Sequence, residues 1–165
     1  MKLVLRIDAP DDGDAQSSGQ GVNWHAFEPI LERELIELYP DAARYDSAEI
    51  SVSLLTTDEI RRINREYREC DEATDVLSFP MCECDGLFVP DDVSPVLSLG
   101  DVLICPEETA RLHPELSEKE ALCLMLAHSF LHLMAWDHDT EEKESAMWAR
   151  QDALKTRLMA AAEAV

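Results

Sequence analysis

A chain of 165 residues has the length of one domain, and 46% apolar with 30% charged residues is a globular composition rather than a disordered or collagenous one. Thirty-five acidic residues against 14 basic leave a net charge of -21. That charge repels phosphate backbones and excludes a protein that coats DNA, so any nucleic acid must be met through a small basic patch or a basic protein partner.

Five cysteines, Cys70, Cys82, Cys84, Cys105 and Cys123, are an odd number without framework spacing. The opening MKLVLRIDAP does not read as a signal peptide, and a reducing cytoplasm is expected. No apolar run reaches the roughly 20 residues that span a bilayer, so no membrane segment is expected.

Lys2 to Ile7 alternates as a strand, and DAPDDGDAQSSGQG after it reads as an acidic, mobile loop. From Asn23, a candidate cap, the set Trp24, Phe27, Ile30, Leu31, Leu35 and Leu38 recurs at helical spacing and stops before Pro40. Ala48 to Leu55 alternates as a strand, and a short helix from Thr57 through Tyr67 turns Ile60, Ile63 and Tyr67 inward. Strands are expected at Asp75 to Pro80 and Leu99 to Cys105, with a Pro-, Gly- and acid-bearing surface excursion between them that either covers a site or is a plain insertion.

Pro106 opens a helix. Ser117 and Glu120 form a capping box before a helix apolar on nearly every side from Ala121 to Met134, the pattern of a buried helix. Asp139 with Glu142 starts a last helix carrying Met147, Leu154 and Leu158 on one face. The order implies a single α/β domain over residues 1–165, a small mixed sheet of about four strands packed by helices, one of them a buried metal-binding helix.

The stretch HSFLHLMAWDH places His128, His132 and His138 together. Residues four apart on a helix are turned by about 40° and rise about 6 Å, so His128 and His132 present adjacent imidazoles to one metal ion. His138 would point about 120° away from His132 if the helix continued, so the chain must stop and double back to make it a third ligand. Three neutral imidazoles with an open position are the donor set of a catalytic zinc site, where bound water is acidified towards a pKa of about 7. In peptidases of the H-E-x-x-H type the residue after the first histidine is a glutamate base, whereas here it is Ser129. His25 and His113 have no partner at ligand spacing, and the isolated Cys82-x-Cys84 pair is left out of the site.

HSFLHLMAWDH resembles the H-G-x-L-H-L-x-G-Y-D-H signature of the YbeY family of metal-dependent endoribonucleases that mature ribosomal RNA. INREYRECDEATDVLSFP (Ile63 to Pro80) is similar to that family's L-N-x-x-Y-R-x-x-D-x-x-T-D-V-L-S-F-P, and LGDVLICPE (Leu99 to Glu107) to its L-G-D-I-x-I-C. The resemblance implies one zinc per chain on His128, His132 and His138, catalytic parts for Arg68 and His128, and cleavage of single-stranded RNA. It also implies a precursor of ribosomal RNA as substrate, and the small ribosomal subunit or a basic ribosomal protein as partner.

The planar guanidinium of Arg68 suits a scissile phosphate, and a metal that acidifies water needs no glutamate where an arginine stabilises the charge growing on phosphorus. Two positions depart from the signature: Ala135 stands at a glycine and Trp136 at a tyrosine. A glycine there fits a left-handed helix-ending residue, which alanine adopts at a cost of roughly 1–2 kcal/mol. Asp137 and Asp139 are candidate acceptors for orienting an imidazole, Asp139 equally a helix cap. The H-x3-H-x5-H spacing also occurs in metzincin peptidases, the nearest alternative enzyme, which Ser129 argues against. A zinc-containing ribosome assembly factor without enzyme activity is the other alternative.

Overall fold

Alternating side chains shape the first strands of the computed structural model, which describes residues 1–9 and 21–163. β1 (Lys2–Asp8) buries Leu3 and Leu5, and β2 (Ser47–Leu54) buries every second residue from Ala48 to Leu54. The two are parallel, and β2 is parallel to β6 (Val96–Ile104). β3 (Val76–Pro80) lies antiparallel on the other side of β6, giving the order β1-β2-β6-β3. The expected mixed four-stranded sheet is present, with β3 at an edge. Most of the acidic loop expected after β1 lies outside the described residues.

β6 begins at Val96, three residues before the expected start. Its register against β2 shifts between Ser98 and Gly100, so Leu97 and Leu99 face the core before the shift and Val102 and Ile104 after it. This bulge breaks simple alternation, which hid the start of the strand. Gly100 answers the same crowding: its φ is 140°, and a Cβ there would lie 2.2 Å from the Phe79 carbonyl oxygen.

The helix expected from Asn23 starts instead as a 3-10 turn, Trp24–Phe27, and Asn23 makes no side-chain cap. α1 (Glu28–Leu38) follows with Pro29 in its first turn and ends before Pro40 as expected. Its inward face carries Glu34, fully buried beside Leu31 and Leu35. Arg150 and Arg157 of α5 (Glu141–Glu163) both bond that carboxylate and fix α5 to α1.

α2 (Thr57–Arg68) opens with a reciprocal capping box between Thr56 and Glu59 and ends at Glu69, whose φ is 55°. It covers the sheet face opposite the main core: Leu103 clusters with Ile60 and Leu77, while its neighbours Val102 and Ile104 belong to the main core. Tyr67, expected inward, is 69% exposed and meets Phe79 edge-on, ring centroids 5.7 Å apart. The sheet ends at β3, which leaves the last turn of α2 without a surface to bury against.

The excursion after β3 is built around a hairpin, β4 (Glu83–Cys84) and β5 (Leu87–Phe88), turned by Asp85 and Gly86 at φ 49° and 77°. Two positive φ angles in a two-residue turn suit Asp-Gly. α3 (Pro106–Leu112) then leads to α4 (Glu118–Leu133), capped by Ser117 Oγ and buried on nearly every side from Ala121. α5 starts two residues past Asp139, because Thr140 Oγ1 accepts the Lys143 N–H while Asp139 forms an ion pair with Lys143. Met147, Leu154 and Leu158 face the core as expected. Among the described residues no helix is long and apolar enough to cross a membrane.

Ser129 is fully buried in α4, and its Oγ has no hydrogen-bond partner. A buried, unsatisfied hydroxyl is unfavourable. Ser129→Ala should therefore raise stability by about 1 kcal/mol, read as a higher urea midpoint at unchanged slope. A loss of similar size would show that the hydroxyl bonds something essential.

Candidate metal centre

The third histidine returns because α4 stops where the spacing requires. The Trp136 N–H bonds the Leu131 carbonyl at 2.9 Å and the Ala135 N–H the His132 carbonyl at 3.0 Å, with Ala135 at φ 68°. Six-to-one and five-to-two bonds around a left-handed residue form a Schellman end. Alanine bears the strain at a cost of about 1–2 kcal/mol, and Trp136 packs against the main core beyond it.

His128 Nε2 and His132 Nε2 are 3.0 Å apart. The ring of His138 lies 6.0 Å from that of His128 and 5.5 Å from that of His132, and the candidate ligand atoms of all three lie within 4.8 Å of one another. His138 also stacks on Trp148, centroids 5.5 Å apart.

The far sides of the first two rings decide their tautomers. His128 Nδ1 lies 2.7 Å from Gln151 Oε1, and His132 Nδ1 lies 2.9 Å from the Trp136 carbonyl oxygen. Both oxygens are acceptors, so each Nδ1 carries the hydrogen and donates it, leaving lone pairs on the two facing Nε2 atoms. Two lone pairs at that separation repel unless a cation lies between them, and the donor set fits a metal ion on that ground. Burial holds the His128 imidazole below the usual histidine range, against the Gln151 bond. Burial, and then the charge of His128, does the same to His132. Neutral imidazole is the ligating form, and nitrogen donors suit zinc among the transition metals.

The three histidines line one wall of a cleft of about 1080 Å³. β3, the β4–β5 hairpin and the start of α5 supply other walls, and Arg68 stands at the end of α2. Arg68 Nη2 donates to the Ser78 carbonyl at 2.8 Å, and its guanidinium carbon lies 5.5 Å from the Phe79 ring centre. One of its five donors is thus held by the sheet edge and the plane is braced on an aromatic face. Arg68 and the histidines share one cleft, although 60 positions separate Arg68 from His128 in the chain.

Other candidates fall outside the centre. Asp137 Oδ1 accepts the His138 backbone N–H at 2.7 Å and Asp139 binds Lys143, so neither orients an imidazole. His25 pairs with Glu28, and His113 with Asp75. Cys82 is buried in the main core with its Sγ donating to the Ser98 carbonyl, while Cys84 is exposed on β4, so the two thiols do not converge. Sequence reasoning missed Gln151 and Trp148. A signal existed for Gln151, a polar residue on the α5 face that otherwise carries Met147, Leu154 and Leu158.

Fold and centre together define a single-domain α/β protein with a three-histidine group able to hold a metal ion at the wall of an open cleft. The model of the family described as endoribonuclease YbeY matches residues 14–159. Among similar proteins, endoribonuclease YbeY of Lachnoclostridium phytofermentans is 38% identical, covering 83% of this chain and 92% of its own length. That of Bacillus pumilus is 38% identical, covering 90% and 92%. The solution structure of TM1509 from Thermotoga maritima shares the fold with a TM-score of 0.53 at 23% identity, covering 94% of this chain and 89% of its own. The chain belongs to the YbeY endoribonuclease family.

Because Gln151 fixes the His128 tautomer, Gln151→Ala should weaken metal binding by about 10- to 100-fold, measured by competition with a chelator. Gln151→Glu keeps the acceptor and should bind at least as tightly as the native chain. Equal affinity in the alanine variant would mean that the amide does not set the ring.

Proposed function

We propose that this chain is a zinc-dependent endoribonuclease that cuts single-stranded precursor ribosomal RNA in the cytoplasm, with His128, His132 and His138 as the metal ligands and Arg68 as the residue that holds the scissile phosphate. The observation that carries this reading is the placement of Arg68 in the same cleft as the histidines, with its guanidinium braced by Ser78 and Phe79. When bound, zinc supplies Lewis acidity: it acidifies water and accepts negative charge growing on a phosphoryl oxygen.

Each protein group has a part beside that chemistry. Gln151 and the Trp136 carbonyl hold the two half-buried imidazoles with Nε2 towards the cleft. Arg68 presents its free N–H groups to two phosphate oxygens and binds them more strongly as their charge rises. Exposed Tyr67 beside Phe79 offers a face on which an unpaired base stacks, which favours a single strand over a duplex. Glu83, Asp85, Asp137 and Asp139 also line the cleft, against Arg68 and Lys143 as cations. A phosphate is repelled from such a surface without a metal cation. The peptidase alternative is disfavoured at Ser129, whose hydroxyl is sealed in the core where that class needs its base. An acidic surface suits a basic ribosomal protein as the recruiting partner.

Arg68→Ala should retain the metal and the fold and lose cleavage of a single-stranded RNA by about a hundredfold. Arg68→Lys should recover only part, since an ammonium lacks the paired donors. Chelation should abolish cutting and added zinc restore it. Cleavage by Arg68→Ala at the native rate would remove the phosphate role, and cutting of a peptide without cutting of RNA would overturn the reading.

A further inference from the structure

Seven of the ten arginines stand within 4.0 Å of a carboxylate. The three for which the described residues provide no such partner are Arg62, Arg65 and Arg68, all on α2. In a chain of net charge -21 the guanidinium groups without a carboxylate at ion-pair distance among the described residues are therefore confined to one helix. They recur at i, i+3 and i+6, so neighbouring members of the row have Cβ atoms about 5–6 Å apart. Arg62 and Arg65 are exposed, and Glu66 and Glu69, one turn on from them, lie beyond ion-pair distance. Arg68 ends the row inside the histidine cleft.

We propose that Arg62 and Arg65 extend Arg68 outward as a phosphate track, which binds two successive backbone phosphates of a single-stranded RNA and leads the strand into the cleft. This rests on the endoribonuclease reading and adds two substrate-positioning residues to it. The spacing of the row is comparable to that of phosphates on an extended strand. Guanidinium groups with no carboxylate within 4.0 Å among the described residues bind phosphate without first breaking a close ion pair, which an arginine such as Arg111 on Glu108 must do. An overall acidic surface elsewhere then confines the polyanion to the track.

The test is the salt dependence of binding of a fluorescent single-stranded RNA to the zinc-loaded full chain. Each phosphate contact to a single strand contributes about 0.7 to the slope of log affinity against log salt. Arg62→Gln with Arg65→Gln should reduce that slope by about 1.4 and weaken binding severalfold at low salt. Arg6→Gln with Arg111→Gln removes the same charge from paired arginines elsewhere and should leave the slope at its native value. If the native chain cuts RNA and the two double variants have the same slope, the track is wrong and the enzyme reading stands. If the native chain neither binds nor cuts RNA, both fall.

Discussion

The site depends on one left-handed residue. α4 brings two imidazoles together by helical spacing alone, but a third requires the helix to end within three residues of His132. Ala135 at φ 68° makes that ending, with its own N–H and that of Trp136 satisfying carbonyls His132 and Leu131. The same turn presents the Trp136 carbonyl to His132 Nδ1, so the stop also fixes a ligand tautomer. Strain at one backbone position is thus coupled to the chemistry of two histidines. Trp136 packed on the core offsets that strain.

Charge explains how a strongly acidic chain handles an anionic substrate. The cleft carries four carboxylates and two cationic side chains, so a metal ion held by the three histidines would be needed to make it hospitable to phosphate. Elsewhere arginines are committed to carboxylates: Arg150 and Arg157 neutralise buried Glu34 and hold α5 to α1, which in turn sets the position of Gln151 behind His128. Among the described residues, the arginines without a carboxylate within ion-pair distance lie on α2, so the local charge there differs from that of the chain as a whole. The broad exclusion of DNA coating and the endoribonuclease reading are consistent because they concern different length scales.

Much of this was legible in the sequence, for reasons that differ by element. Periodicity exposed β1, β2, α4 and the inward face of α5, because each buries one consistent set of positions. The first residues of β6 were hidden by a bulge that reverses the inward parity between Leu97 and Val102. The 3-10 start before α1 escaped because Asn23 has the composition of a cap without acting as one. The β4–β5 hairpin turned by Asp85-Gly86 was read only as part of a surface excursion, because the strands beside the turn are two residues each, too short to show alternation. At the centre, the three histidines and the need for a stop followed from helical geometry. Gln151 and Trp148 did not: a polar residue on the apolar face of α5 marks Gln151 as unusual, but its placement behind His128, like that of Trp148, comes from α5 folding back across α4. Arg68 was singled out by resemblance, and only the fold explains how α2 and α4 come to share one cleft.

The claim that the helix stop creates a three-histidine centre is tested most directly by X-ray absorption at the zinc edge of the purified, zinc-loaded chain. The account predicts one zinc per chain with three imidazole nitrogens at about 2.0–2.1 Å, at least one further light-atom ligand and no sulfur. A sulfur scatterer at about 2.3 Å, or an imidazole count that is the same in the native chain and in His138→Ala, would contradict it.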